Sequence, residues 1–242
     1  MNIGINCDMG EGIGNDEQLM PYIQAANIAC GYHAGNVLAM EQTVRLCLKF
    51  NVNIGAHPSF YDRNNFGRKE IQLPAQKLYE LITQQLIILQ EITILCNTSL
   101  HHVKPHGALY NLSAKDPLTA NVIAKAVKDF DSGLILVGLS GSHSISEAKK
   151  LGLQTANEVF ADRTYQDDGS LTPRSIAGAL IEDAGAAAKQ VMQMVNQGTV
   201  TTLSGNVIPV LAETICVHGD GQHAVEIAKA IHEAIKTGNN GK

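Results

Sequence analysis

NIACGYHAGNVLAMEQTVRLCLKFNVNIGAH, residues 27–57, reads as one complete β–α–β unit. Short β-type runs at 27–30 and 52–57 flank a stretch in which Met40, Val44, Cys47 and Leu48 recur on one face at helical spacing. A strand, a helix and a second strand in this order lay the two strands parallel, with the apolar helix face covering the sheet. His33 comes after the first strand and His57 closes the second, so the unit sets an imidazole at the same end of both.

The same alternation continues outward. Further β-type runs fall at 3–7, 101–105, 134–138, 157–161 and 214–218. Helical faces are formed by Ala120, Ile123, Ala124 and Val127, by Ala184, Ala187, Ala188, Val191 and Val195, and by Ala224, Ile227, Ala228, Ile231 and Ile235. Residues 78–95 are apolar on more than one side and predict a long helix that also meets a neighbouring element or a second protomer. Repeated strand–helix units in one chain of 242 residues predict an α/β fold, a closed or nearly closed TIM-like (β/α) barrel, with an open doubly wound sheet as the alternative. Residues 162–174 and 199–210 carry turn chemistry between β-prone flanks and read as hairpin excursions. No low-complexity linker divides the chain, so residues 1–242 are expected to form one barrel domain, with TGNNGK (237–242) as a frayed end.

Composition narrows the function classes. With 45% hydrophobic and 17% charged residues, the chain has the composition of a globular protein with one sizeable core. A net charge of −5 gives no basic field for nucleic acid, and a membrane span is not expected. Five cysteines, Cys7, Cys30, Cys47, Cys96 and Cys216, include no C-x-x-C pair and read as buried free thiols. The first residues lack the basic and apolar regions of a leader, and a cytoplasmic location is expected.

The chemistry lies at the strand ends. Asn6, Asp8 and Glu11 stand at the end of the first, His33 after the second, His57 at the third, and Lys104 and His106 at the fourth. Glu158, Asp162 and Arg163 belong to the sixth, and His218 and Asp220 to the last. In a parallel barrel these positions share the C-terminal mouth. Any one of these histidines alone would read as a hydrogen-bonded loop residue, but four at one mouth point to chemistry. Asp8, His33, His57 and His106 offer the imidazole and carboxylate donors that suit a divalent metal. The same groups also suit proton transfer, with a carboxylate orienting an imidazole base. Lys104 reads equally as a cation for a carboxylate or phosphoryl oxygen and as an ion-pair partner of Asp8 or Glu11. Arg63 and Arg68 can fork onto planar anions or cross-link their own loop. GLSGS (138–142) completes neither a P-loop nor a nucleophile elbow, and Ser140 reads as part of a turn.

Six segments in order, NCDMGEG, ANIACGYHAGN, GAHPSF with the following DR and FGR, HVKPHGALYN, EVFADR through PR, and CVHGD, resemble the signatures of the LamB/YcsF family over nearly the whole chain. Where that pattern has an acidic residue and proline after HAG, this chain has Asn36 and Val37, and Lys69 stands where an arginine is usual. The resemblance implies a distorted seven-stranded barrel related to polysaccharide deacetylases. It implies the A-subunit role in an ATP-dependent 5-oxoprolinase, opening the lactam of 5-oxo-L-proline to L-glutamate. ATP with Mg would be the cosubstrate, and two other subunits, B and C, the partners. Asp8, His57, His106 and Lys104 would be catalytic, with Glu11, His33, Arg63, Arg68 and His218 on the substrate. An alternative is a metal-dependent deacetylase of N-acetylated sugars, holding its metal on Asp8, His57 and His106. Another is a component that binds the lactam without doing chemistry.

Overall fold

The computed structural model describes residues 3–239, with side chains to residue 237. Seven parallel strands close into a barrel: β1 (Gly4–Met9), β2 (Ala25–Ala29), β3 (Asn53–His57), β4 (His102–Val103), β5 (Ile135–Leu139), β6 (Gln154–Phe160) and, after a hairpin, β9 (Thr214–Val217). Strand β9 pairs with both β6 and β1, which removes the free edges an open sheet would leave. The β–α–β unit of residues 27–57 is present as β2, α2 (Val37–Phe50) and β3, with Asn27 in register with Gly55.

The connections explain the distortion. Strand β1 leads to a single-turn helix, α1 (Asp16–Leu19), and a 3-10 turn (Met20–Tyr22) before β2. The β3–β4 connection carries the 21-residue helix α3 (Ala75–Leu95), and β4–β5 carries two helices, α4 (Gly107–Lys115) and α5 (Pro117–Phe130). Helix α4 is the continuation of the HVKPHGALYN segment. Helix α6 (His143–Lys150) joins β5 to β6, and α7 (Ala184–Gln197) precedes the antiparallel pair β7 (Thr199–Thr201) and β8 (Val207–Pro209). Residues 162–174 form a tight excursion held by the isolated Tyr165–Leu171 bridge, without regular strands. Helix α8 (Ala224–Asn239) continues through residues expected to fray; residues 240–242 of that segment lie outside the described residues.

Alternation along the strands separates two interiors. On β1, Ile5, Cys7 and Met9 face outward into the apolar layer under the helices, while Asn6 and Asp8 project into the barrel. The apolar layer holds Val44, Cys47, Ile82, Leu86, Leu89, Ile123, Val191 and Ile231. Leu48, expected on the buried face of α2, is 47% exposed, the buried face being Met40, Thr43, Val44 and Cys47. Helix α3 spends its extra apolar face on α2 and α5, yet Ile94 and Leu95 at its end stay exposed. All five cysteines are buried and free. Among the described residues no helix is long and apolar enough to cross a membrane.

Candidate active site at the barrel mouth

The barrel interior is filled by a polar network instead of the branched apolar layers common in such barrels. At its lower level, Asn27 Nδ2 donates to Asn6 Oδ1 and Asp8 Oδ1 at 2.7 and 2.8 Å. Asn27 Oδ1 in turn accepts from His102 Nε2 at 2.8 Å. His102 fills the space beside Gly55, where an added Cβ would stand 2.1 Å from its Nε2, so the strand needs glycine at that point. Burial pushes the pKa of His102 down to about 3, keeping the ring neutral in this network.

Lys104 enters above this level and is 2% exposed. Its Nζ lies 3.0 Å from Asp8 Oδ1, 2.9 Å from Glu158 Oε1 and 3.0 Å from Cys216 Sγ. Burial disfavours the ammonium, but Asp8, Cys216 and Glu158 outweigh it and hold its pKa well above the usual lysine value. Burial likewise disfavours the Asp8 carboxylate, and His57 and Lys104 overcome it, leaving that pKa well below the usual range. Of the two roles open to Lys104, the structure shows the ion pair with Asp8, and adds Glu158 as the second partner.

At the mouth, three histidines are each fixed by one ring nitrogen. His57 Nδ1 donates to the Lys104 carbonyl at 2.7 Å, and His106 Nε2 donates to the Phe66 carbonyl at 2.9 Å. The Ser59 hydroxyl donates to the Phe60 carbonyl, so its Oγ accepts from His33 Nδ1 at 2.9 Å. These acceptors assign the tautomers and leave His57 Nε2, His106 Nδ1 and His33 Nε2 with lone pairs. The three nitrogens converge with Glu11 Oε1, all four atoms lying within 4.8 Å of one another. His57 Nε2 and His106 Nδ1 are 2.9 Å apart, and His33 Nε2 is 3.1 Å from Glu11 Oε1. Burial, followed by the neighbouring His57, pushes the His33 pKa down to about 2. Burial and then His33 and His57 do the same in direction for His106, so both rings stay neutral donors of electron pairs. Burial raises Glu11, reinforced by Asp8 and Asp220.

Facing lone pairs need something between them: one proton or one cation. The imidazoles of His33, His57 and His106, each anchored through its far nitrogen, and the Glu11 carboxyl are donors of the kind that suits a divalent transition metal. Glu11 thus stands with His33, His57 and His106, while Asp8 falls in a second group of donors with Cys216 and His218. Asp8 sits 3.3 Å from His57 Nε2 through Oδ2, with Oδ1 committed to Asn27 and Lys104. Gly67 closes over these rings with φ of +65°, and a Cβ there would come within 2.8 Å of His106 and 2.9 Å of His33.

A cleft of about 670 Å³ opens above the network, lined by Asp8, His57, Lys104, His106, Arg68 and His218 among others. His218 Nδ1 is 2.9 Å from Asp162 Oδ1, and His218 overcomes burial to lower the Asp162 pKa. Arg68 pairs with Asp220 at the lip. Arg63 does not reach the cleft: its Nη1 donates to the Gly31 and Gly35 carbonyls at 2.6 and 2.9 Å, tying down the loop that carries His33. Asn36, where the family pattern has an acid, accepts from Ala39 N–H at 2.9 Å and caps α2. Sequence reasoning does not single out His102 or assign a role to Glu158; the two-residue spacing of His102 and Lys104 is the available signal that both face inward.

A model of the LamB/YcsF family matches residues 3–241. The chain is 47% identical over 240 residues to the 5-oxoprolinase A subunit of Staphylococcus aureus (strain Newman), covering 97% of this chain and 96% of that one. The crystal structure of the lactam utilization protein from Thermus thermophilus superimposes with a TM-score of 0.91 at 39% identity, covering 99% and 98% of the two chains. A family 4 carbohydrate esterase from Streptomyces lividans shares the fold at a TM-score of 0.53 and 11% identity, covering 98% of this chain and 88% of that one.

Proposed function

Because this chain belongs to the LamB/YcsF family, we propose that its mouth cleft opens the activated lactam ring of 5-oxo-L-proline as the A subunit of an ATP-dependent 5-oxoprolinase. The observation that carries this reading is the convergence of His33, His57, His106 and Glu11, of which His57 and His106 line the cleft. A lactam carbonyl is stabilised by resonance, and phosphorylating its oxygen with ATP leaves a ring carbon that water can attack. Water adds there, the C–N bond breaks with nitrogen taking up a proton, and an acyl phosphate results. A second water releases phosphate, so one ATP and two waters yield glutamate, ADP and phosphate. The nucleotide step belongs to the complex with the B and C subunits. The five free buried thiols support a reducing, cytoplasmic setting.

The residues divide this work. His57 and His106 are the bases that take the proton from attacking water. Asp8 faces His57 Nε2 and stabilises the imidazolium that forms. Lys104, spent on Asp8 and Glu158, sets the Asp8 carboxylate in place. His33 and Glu11 complete the donor set, and His218 and Arg68 line the wall above. A divalent metal on Glu11, His33, His57 and His106 would take up those same lone pairs and, in place of the two bases, would supply a bound water of lowered pKa.

The test is glutamate release and 5-oxoproline-dependent ATP hydrolysis by the chain alone and with its two partner subunits. Turnover confined to the mixture is expected, and no turnover in any mixture removes the reading. Acetate release from N-acetylated sugars by the chain alone would replace it with the deacetylase.

A further inference from the structure

The histidines stand at or just beyond the ends of β2, β3 and β4. The adjacent arc of the mouth, from β5 and β6, carries a different chemistry. Arg163 follows β6, lines the same cleft and is only 5% exposed. Its Nη2 donates to the Thr172 carbonyl at 2.5 Å, but its Nε has no partner and it pairs with no carboxylate among the described residues. The neighbouring acid, Asp162, is committed to the ring and backbone N–H of His218. A buried guanidinium without a counter-charge is costly, and burial together with Arg174 pulls its pKa down to about 10. Arg174, at the exposed end of the same excursion, also lines the cleft and makes no ion pair among the described residues.

A second set of donors lines the same cleft. The turn from β5 into α6, Ser140 to His143, lines the cleft. No described side chain caps α6, and the Ser142 hydroxyl at its start is buried without a partner. Ser140 is occupied, its Oγ accepting from Leu211 N–H, which leaves Ser142 as the open hydroxyl. The first-turn amides of a helix favour an anion, and guanidinium forks match phosphate oxygens.

We propose that Arg163, Arg174 and Ser142 at the start of α6 form a phosphoryl-binding pole of the cleft, next to the histidine pole. A single carboxylate would satisfy one fork. Two guanidiniums, a hydroxyl and helix amides suit the greater charge and three oxygens of a phosphoryl group. The pole deepens the oxoprolinase reading and rests on it for the identity of the ligand, a lactam phosphorylated on its ring oxygen. The anion is held on one arc while the histidines work on the ring carbon.

The experiment is calorimetric titration of the full chain with inorganic phosphate and, separately, with 5-oxo-L-proline, in the parent and in Arg163→Gln, Arg174→Gln and Ser142→Ala. Phosphate affinity is expected to fall about tenfold or more in Arg163→Gln and severalfold in Arg174→Gln, as loss of a charge-assisted bond implies. Affinity for 5-oxo-L-proline should change less than about twofold, because its carboxylate is not the group held there. Phosphate binding that is absent in the parent, or unchanged in both arginine variants, overturns the proposal. So does selective loss of 5-oxo-L-proline binding, which would make the pole a carboxylate site. Arg174 is exposed, so its variant decides the matter even where Arg163→Gln fails to fold. Phosphate binding through these arginines in a protein that releases no glutamate with its partners would leave the pole standing and remove the oxoprolinase reading.

Discussion

Lys104 and Arg163 are both buried cations near the barrel mouth, 2% and 5% exposed, yet the fold treats them in opposite ways. Lys104 touches two carboxylates, Asp8 and Glu158, and hydrogen-bonds Asn6 and Cys216 besides. Arg163 has one carbonyl and an unpartnered Nε. Removing a partner from the answered charge leaves buried carboxylates uncompensated, whereas Arg163 is the cation that the proposed phosphoryl pole assigns to a ligand.

The largest effect should come from removing the answered charge. Lys104→Met strands Asp8 and Glu158 inside the barrel and should cost about 3–5 kcal/mol in urea unfolding. A loss below about 1 kcal/mol would break the comparison, since an internal pair would then matter no more than an exposed one. His57→Ala or His106→Ala should lower glutamate release by the assembled enzyme about 10²-fold or more, with a fold that stays intact by circular dichroism. Turnover within about threefold of the parent would remove both residues from the chemistry. In parallel, the parent should retain stoichiometric zinc or manganese after dialysis, measured by mass spectrometry, and His33→Ala should not.

Gly55→Ala places a methyl group against His102 and should cost about 1–3 kcal/mol, testing whether the lower network is as tightly filled as the level around Lys104. Asp162 tests why Arg163 lacks a partner. Its folded pKa lies below its unfolded value because His218 outweighs burial, so its stabilisation is present above about pH 3.9 and fades as pH falls through the lower folded value. The stability gap between the parent and Asp162→Asn should therefore close on acidification, and a gap independent of pH would refute the pairing. The smallest stability change should be that of Arg163→Gln, within about 1 kcal/mol of the parent, because it removes a charge that nothing in the chain answers.

Much of the architecture is legible from periodicity. The seven barrel strands and the long helix over 78–95 follow from apolar spacing, and strand-end polar residues locate the mouth. The short helices α4 and α6 escape it, since their faces mix polar groups that turn toward the cleft or toward neighbouring helices. Arg63 departs from its expected place on the substrate because its loop folds back onto the Gly31 and Gly35 carbonyls, a contact no local pattern encodes. Strand ends already group His33 with His57 and His106, but that Glu11 joins them is visible only in the structure.

By itself the sequence determined a parallel barrel with histidines, acids and cations at one end, because strand and helix periods are local properties and strand ends in such a barrel share a face. Tertiary structure alone decided which nitrogen of each histidine is spent, that Lys104 is answered by Asp8 and Glu158, and that Arg163 is not. Those pairings join strands far apart in the chain, and their distances exist only once β9 closes the barrel against β1.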